Sequence, residues 1–240
     1  MLEPKRQPWM APLPGSDPQR LAEIGEQVSA RLDANPRVTR IKSPRIDMFA
    51  VPAFIAPAEC TELVALIDSD VKPSTSLRVQ TGEKTRTSST CKLPSEHQLV
   101  AAIDQRIADL LGLDPGHAET LQGQRYEPGQ QFRTHNDYFA SGQSFSEAIA
   151  NEGGQRTWTA MAYLNRTEKG GATNFPMVPV AIPPTPGVLL VWNNMDKNGQ
   201  SNPYSHHAGT VVEAGRKYVL TKWFRERAWN GSEVSDSYRV

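Results

Sequence analysis

With 240 residues, the chain is long enough to bury a sizeable core in one large domain or two small ones. Its 26 Lys and Arg residues balance 26 Asp and Glu, so the net field gives no reason to expect a nucleic-acid or anionic-membrane partner. Two cysteines, Cys60 and Cys91, are too few for a disulfide framework or a cysteine-based zinc site, and both are expected as reduced, packed thiols.

The opening stretch MLEPKRQPWMAPLP is broken by prolines and holds no apolar core of signal-peptide length. No later run approaches the roughly 18 apolar residues of a membrane span, so a soluble cytoplasmic protein is expected. A helix is predicted next, with Asp17 as N-cap, Pro18 in the first turn, and Leu21, Ile24, Val28 and Leu32 on one stripe. PAECTELVALIDSD predicts a second helix. SEHQLVAAIDQRIADLLG predicts a third, capped by Ser95, with Leu99, Ile103, Ile107 and Leu110 on one side and Gly112 as the stop. From about residue 119 the texture changes to short segments separated by Gly, Pro and Asn, among them TLQGQRYEP, RTWTAMAYLNR, GVLLVWNN and RKYVLTKWFRER. Many short strands with turns between them predict a mainly β sandwich or barrel, with the helices packed on one outer face. The expected organisation is a leader and helix over 1–47, one domain over 48–228 with its β core at about 119–227, and a tail over 229–240.

The segment FRTHNDYF places His135 and Asp137 one residue apart, so on a strand both would face one way and could grip one ion. Five His and eleven Asp in 240 residues make roughly 0.2 such pairs by chance, so the pair alone is weak. A site with two imidazoles and one carboxylate on one face of an octahedron, leaving positions open, needs a second histidine. YSHHAGTVVEAG offers His206 and His207, which face opposite ways on an extended chain, and spacing does not choose between them. His97 and His117, in and just after the third helix, read as solvated or structural.

Taken in order, LQGQRYEPGQQFRTHNDYF, GGQRTWTAMAYLNRTEKGGATNFP and HHAGTVVEAGRKYVLTKWFRER closely resemble the catalytic core of the prolyl 4-hydroxylases, members of the iron(II)- and 2-oxoglutarate-dependent dioxygenases. The resemblance spans about residues 75–227, with TRTSSTCKL as its upstream part. It implies a double-stranded β-helix, or jelly roll, with flanking helices. It also implies hydroxylation of a prolyl residue in a protein or peptide, with release of succinate and carbon dioxide, and ascorbate as a candidate reductant. The implied metal ligands are His135, Asp137 and His207; His207 is chosen over His206 because it opens an HAG stretch and lies ten residues before Lys217. Lys217 would hold the distal carboxylate of 2-oxoglutarate, since a buried carboxylate needs a charge partner to offset desolvation. Tyr126 and Thr173 match residues that complete the co-substrate pocket, and Arg156 and Trp223 match residues that contact the peptide. No acid-base residue is implied beyond these ligands. One departure is Phe132, where peptide hydroxylases of the plant and algal type often carry tyrosine, which leaves the substrate open. The polar stretches KPSTSLRVQTGEKTRTSS and FASGQSFSEAIANEGGQ are expected as mobile loops closing over a peptide. Competing readings are the same chemistry on another side chain or a small molecule, a non-catalytic peptide-binding jelly roll, and a zinc hydrolase, for which no general base stands at motif spacing.

Overall fold

A computed structural model of the chain describes residues 12–74, 85–141 and 146–230. The first half runs α1 (Pro18–Asp33), β1 (Thr39–Arg40), β2 (Met48–Val51), α2 (Pro57–Ser69), β3 (Lys72–Pro73), β4 (Ser89–Lys92) and α3 (Gln98–Leu111). The second half is nearly all strand: β5 (Gln122–Tyr126), β6 (Phe132–His135), α4 (Ser146–Asn151), β7 (Arg156–Tyr163), β8 (Lys169–Gly170), β9 (Thr173–Phe175), β10 (Val180–Ile182), β11 (Leu189–Asn193), β12 (His207–Gly209), β13 (Val212–Ala214) and β14 (Lys217–Arg225).

The helix ends follow local chemistry. Asp17 caps α1 by accepting hydrogen bonds from the Gln19 and Arg20 amides. Gly112 ends α3 in the left-handed conformation, φ 68°. Ser95 does not cap α3 as expected: residues 95–97 form a turn closed by the His97 amide on the Pro94 carbonyl, and the helix starts at Gln98. The buried stripe of α3 is also shifted to Val100, Ile103, Ile107 and Leu111, with Leu99 and Leu110 only partly covered. Ile103 and Ile107 belong to both rows, so the helical period allows either; contact with the core selects one.

The strands form an eight-stranded antiparallel sheet ordered β1-β2-β11-β7-β14-β5-β4-β3, a four-stranded sheet ordered β10-β9-β12-β6, and the small β13-β8 pair. Alternation along β14 connects the two sides of the large sheet. Tyr218, Leu220 and Phe224 join the cluster under α1–α3, whereas Lys217, Val219, Thr221 and Trp223 line a cavity on the other side. A second apolar cluster, including Tyr126, Tyr163, Phe175, Trp192 and Val219, fills the space next to that cavity. This is a jelly-roll fold, mainly β with flanking helices. The helix expected in the N-terminal extension is part of the core, with Val28 and Leu32 buried beside Phe49, Leu63 and Trp158. None of the described helices is long and apolar enough to cross a membrane. Of the two expected mobile loops, residues 75–84 and 142–145 lie outside the described residues. Part of the second forms α4, anchored by fully buried Ile149.

Candidate active site

Strand pairing brings the two histidines together: β6 and β12 are antiparallel neighbours, and His135 stands directly across from His207. Each ring bonds through Nδ1 to a backbone carbonyl two residues back, His135 to Arg133 at 2.8 Å and His207 to Ser205 at 2.9 Å. A carbonyl only accepts, so Nδ1 carries the proton and both Nε2 lone pairs are left for a ligand. Those nitrogens lie 3.9 Å and 3.7 Å from the two carboxylate oxygens of Asp137. Asp137 is past the end of β6 rather than on it, so strand alternation is not what orients it. Its carboxylate instead accepts from Thr159 Oγ1 at 2.8 Å, and that hydroxyl accepts from Asn194 Nδ2 at 2.9 Å. All three residues are buried, with one ligand atom of each within 4.8 Å of the others. Burial, and next the neighbouring His207, hold the His135 pKa well below its ordinary value, so the ring is neutral and able to ligate at neutral pH. Two neutral imidazoles and a carboxylate converging from one side fit an octahedral iron(II) centre with open positions. His206 bonds the Pro203 carbonyl at 2.7 Å and lies edge-on to Tyr138, outside this group.

Lys217 opens β14 directly opposite Tyr126 of β5. It is only 2% exposed, and its Nζ lies 5.3 Å and 5.5 Å from the ring centres of Tyr126 and Tyr163. Among the described residues no carboxylate pairs with it, and burial pulls its pKa down to about 7. A buried ammonium with no paired carboxylate among the described residues, lining the same cavity as the His-Asp-His group, is a ready receptor for an anionic ligand. Arg216, the rival cation, is exposed and ion-paired with Glu127 at 2.9 Å. Tyr126 donates to Gln124 at 3.2 Å, and Thr173 accepts from the Tyr163 hydroxyl at 2.7 Å, which leaves the Thr173 proton for a ligand.

The two expected peptide contacts separate. Trp223 lines the cavity, but Arg156 does not. Arg156 is buried, holds Glu119 through two bonds at 2.5 Å and 2.7 Å, and lies 4.1 Å over the Trp223 ring. Arg225 pairs with the same carboxylate at 2.6 Å. Sequence reasoning singled out neither Glu119 nor Arg225, because a charged residue shortly before a strand or at its end reads as solvated. It also missed Arg86, which lines the cavity, donates to Ser88 and Thr90 at 2.8 Å each, and covers the Phe132 ring at 5.0 Å. The Phe132 ring also stacks on His135, with ring centroids 3.4 Å apart and planes 13° from parallel. The TRTSS stretch was the available signal for Arg86.

The family described as the 2OG-Fe(II) oxygenase superfamily matches residues 121–225. Prolyl 4-hydroxylase 1 of Arabidopsis thaliana is 34% identical over 206 residues, covering 78% of this chain and 70% of that protein. Among solved structures, the viral collagen prolyl hydroxylase of Paramecium Bursaria Chlorella virus-1, in its 2OG complex, superposes with a TM-score of 0.59 at 23% identity, covering 81% of this chain and 98% of that one. A prolyl hydroxylase of Trichoplax adhaerens, in complex with a hypoxia inducible factor peptide fragment, gives 0.56 at 15% identity, covering 87% and 91%. At those identities the structures speak for the jelly roll alone; the sequence relative and the matched core carry the assignment. The chain therefore belongs to the prolyl 4-hydroxylase family and is an iron(II)- and 2-oxoglutarate-dependent dioxygenase.

Proposed function

We propose that the protein hydroxylates a prolyl residue in a protein or peptide, with His135, Asp137 and His207 holding iron(II) and Lys217 holding the distal carboxylate of 2-oxoglutarate. The observation that carries this reading is the shared cavity: a buried His-Asp-His cluster faces an ammonium without a carboxylate partner among the described residues. When bound, iron(II) and 2-oxoglutarate supply an oxidant from O2 that exchanges a C–H hydrogen for hydroxyl, with succinate and carbon dioxide as co-products. The chain's own residues bind, orient and exclude water. Thr159 holds Asp137 as a carboxylate ligand by donating to it. Thr173 keeps a hydroxyl proton for a ligand in the cavity that Lys217 lines, and Tyr126 supplies one by turning from Gln124, so a dicarboxylate entering there exchanges water for a cation and hydrogen-bond donors. Trp223 offers a flat apolar wall for a pyrrolidine ring, braced by the Arg156 guanidinium stacked on it and held by Glu119.

The decisive experiment incubates the iron-loaded protein with 2-oxoglutarate and proline-rich peptides, and reads succinate together with a peptide mass gain of about 16 Da, one oxygen atom. Turnover of 2-oxoglutarate with no oxidised proline in any peptide would leave the chemistry and reject the substrate. The Phe132 stack favours a second reading, the same chemistry on a different target, because this ring presents no hydroxyl to a peptide backbone beside His135. Phe132→Tyr discriminates between them: on the prolyl reading it lowers KM for a proline peptide and leaves KM for 2-oxoglutarate unchanged.

A further inference from the structure

The two histidines of the cluster are fixed by pairing with each other across a strand ladder, but Asp137 lies beyond the ladder. Thr159 holds its carboxylate, and its backbone depends on how the residues after it are packed. Tyr138 is buried with Leu21 of α1 and Met195. Phe139 is buried with Leu13 and with Ile149 of α4. Two consecutive residues following the ligand are thus each packed by a leucine from the N-terminal extension, well upstream of the family core at 121–225.

That extension is itself anchored. The Ser16 hydroxyl and the Asp17 amide donate to the Glu226 carboxylate at 2.7 Å and 2.9 Å. The Arg227 guanidinium ties the Gly15 carbonyl, at 3.0 Å, to the Ala150 carbonyl, at 2.7 Å. From the inner side, the Gln155 amide clamps the backbone of Phe139, accepting from its N–H at 2.8 Å and donating to its carbonyl at 3.0 Å. The Phe139 ring is then contacted by the guanidinium groups of Arg156 and Arg225, 4.8 Å and 4.6 Å from its centre. A shift of Phe139 would move both the backbone that carries Asp137 and the Arg156 group stacked on Trp223.

We propose that the N-terminal extension is a positioning element for the reaction, with Leu13 and Leu21 as positioning residues that hold the Tyr138–Phe139 step and, through it, Asp137 and the Arg156–Trp223 stack. The proposal rests on His135, Asp137 and His207 being the metal ligands. Packing that locks a ligand's rotamer is what keeps a site within the tolerance that binding demands.

The test compares Leu13→Ala and Leu21→Ala with Leu32→Ala in the full chain. Leu32 lies on the same helix as Leu21 and is fully buried, but in the cluster on the far side of the large sheet. Its truncation costs stability without reaching Asp137. Co(II) affinity is measured by equilibrium dialysis, with the melting temperature and the KM for a proline peptide alongside. Leu13→Ala and Leu21→Ala should each weaken Co(II) by about ten-fold, the lower end of what losing an outer support costs, and raise the peptide KM. Leu32→Ala should lower the melting temperature comparably with Co(II) affinity unchanged, and Leu21→Met, which keeps volume, should restore binding. If an alanine variant does not fold, the corresponding Leu→Val variant is read in its place. Co(II) affinity unchanged in the Leu13 and Leu21 variants, or lost equally in Leu32→Ala, overturns the positioning role. Asp137→Ala in the same dialysis checks the metal site itself: Co(II) bound by it as tightly as by the parent would reject the ligand assignment rather than the role of the leucines.

Discussion

Lys217 sets the charge balance of the cavity. In the unfolded chain its ammonium would titrate at 10.5, whereas in the folded, ligand-free protein burial brings it to about 7. Between those two values the unfolded state binds a proton that the folded state does not, so this group makes stability rise with pH across that window. It contributes no further change below about 7, where both states are protonated. A bound dicarboxylate favours the ammonium and reverses the shift. Two outcomes follow. Binding of 2-oxoglutarate above neutral pH should take up a proton, visible by calorimetry in buffers of different ionisation enthalpy, and its affinity should fall by up to about ten-fold per pH unit on the alkaline side. Lys217→Met should raise KM for 2-oxoglutarate by about ten- to hundred-fold, the worth of one hydrogen bond to a charged group, with Co(II) affinity unchanged. A KM equal to the parent's would remove Lys217 from the co-substrate site.

At the scale of elements, β14 reads both layers of the molecule through its two-residue period, with one exception. Lys222 falls on the helix-facing side of the strand, where it is buried and donates to Asp104 of α3 at 2.8 Å. Burial lowers the Lys222 pKa and raises that of Asp104, and each partner's charge opposes the shift of the other. The pair docks α3 on the sheet at the cost of two desolvated charges. Asp104→Ala leaves the ammonium stranded and should destabilise by about 3 kcal/mol, the low end for a broken buried pair because the Asp104 side chain is 23% exposed. Asp104→Leu combined with Lys222→Met should lie much closer to the parent. Urea unfolding of the three proteins checks both statements. Close packing elsewhere on this face is equally local: a Cβ at Gly123 of β5 would run into Ile67 of α2 and Cys91 of β4.

For the molecule as a whole, the candidate metal-binding cluster joins β6 and β12 of the smaller sheet, while Thr159 ties Asp137 to β7 of the larger one. A bound ion is therefore coupled to the folded arrangement of both sheets. At about a hundred times its Kd, a divalent ion adds about 2.7 kcal/mol to folding, which for a chain of this length corresponds to a rise in Tm of about 5–10 °C. A thermal scan with Mn(II) should show that rise in the parent and lose it in Asp137→Ala; an equal rise in both would place the binding elsewhere.

Much of this was legible in the chain. Asp17 and Pro18 mark the start of α1 and Gly112 the end of α3, because caps and left-handed turns are decided by neighbouring residues. The strand texture after residue 119, and the spacing from His135 and Asp137 to His207 and Lys217, sufficed with the family resemblance to name the fold and the candidate ligands. Other features left no local trace. The four-residue strands β2 and β4 carry too little pattern to separate them from loops. Asp137 lies off the strand end, Arg156 turns into a buried pair with Glu119, and the N-terminal extension brings Leu13 against Phe139 and Leu21 of α1 against Tyr138. Side-chain periodicity and capping act over a few residues, so the sequence by itself determined the long helices and the strand-rich texture, and with the family resemblance it named a candidate donor set. Which groups meet across the sheets depends on contacts between residues more than a hundred positions apart, such as Leu21 with Tyr138 and Lys222 with Asp104, and only the tertiary structure decided those.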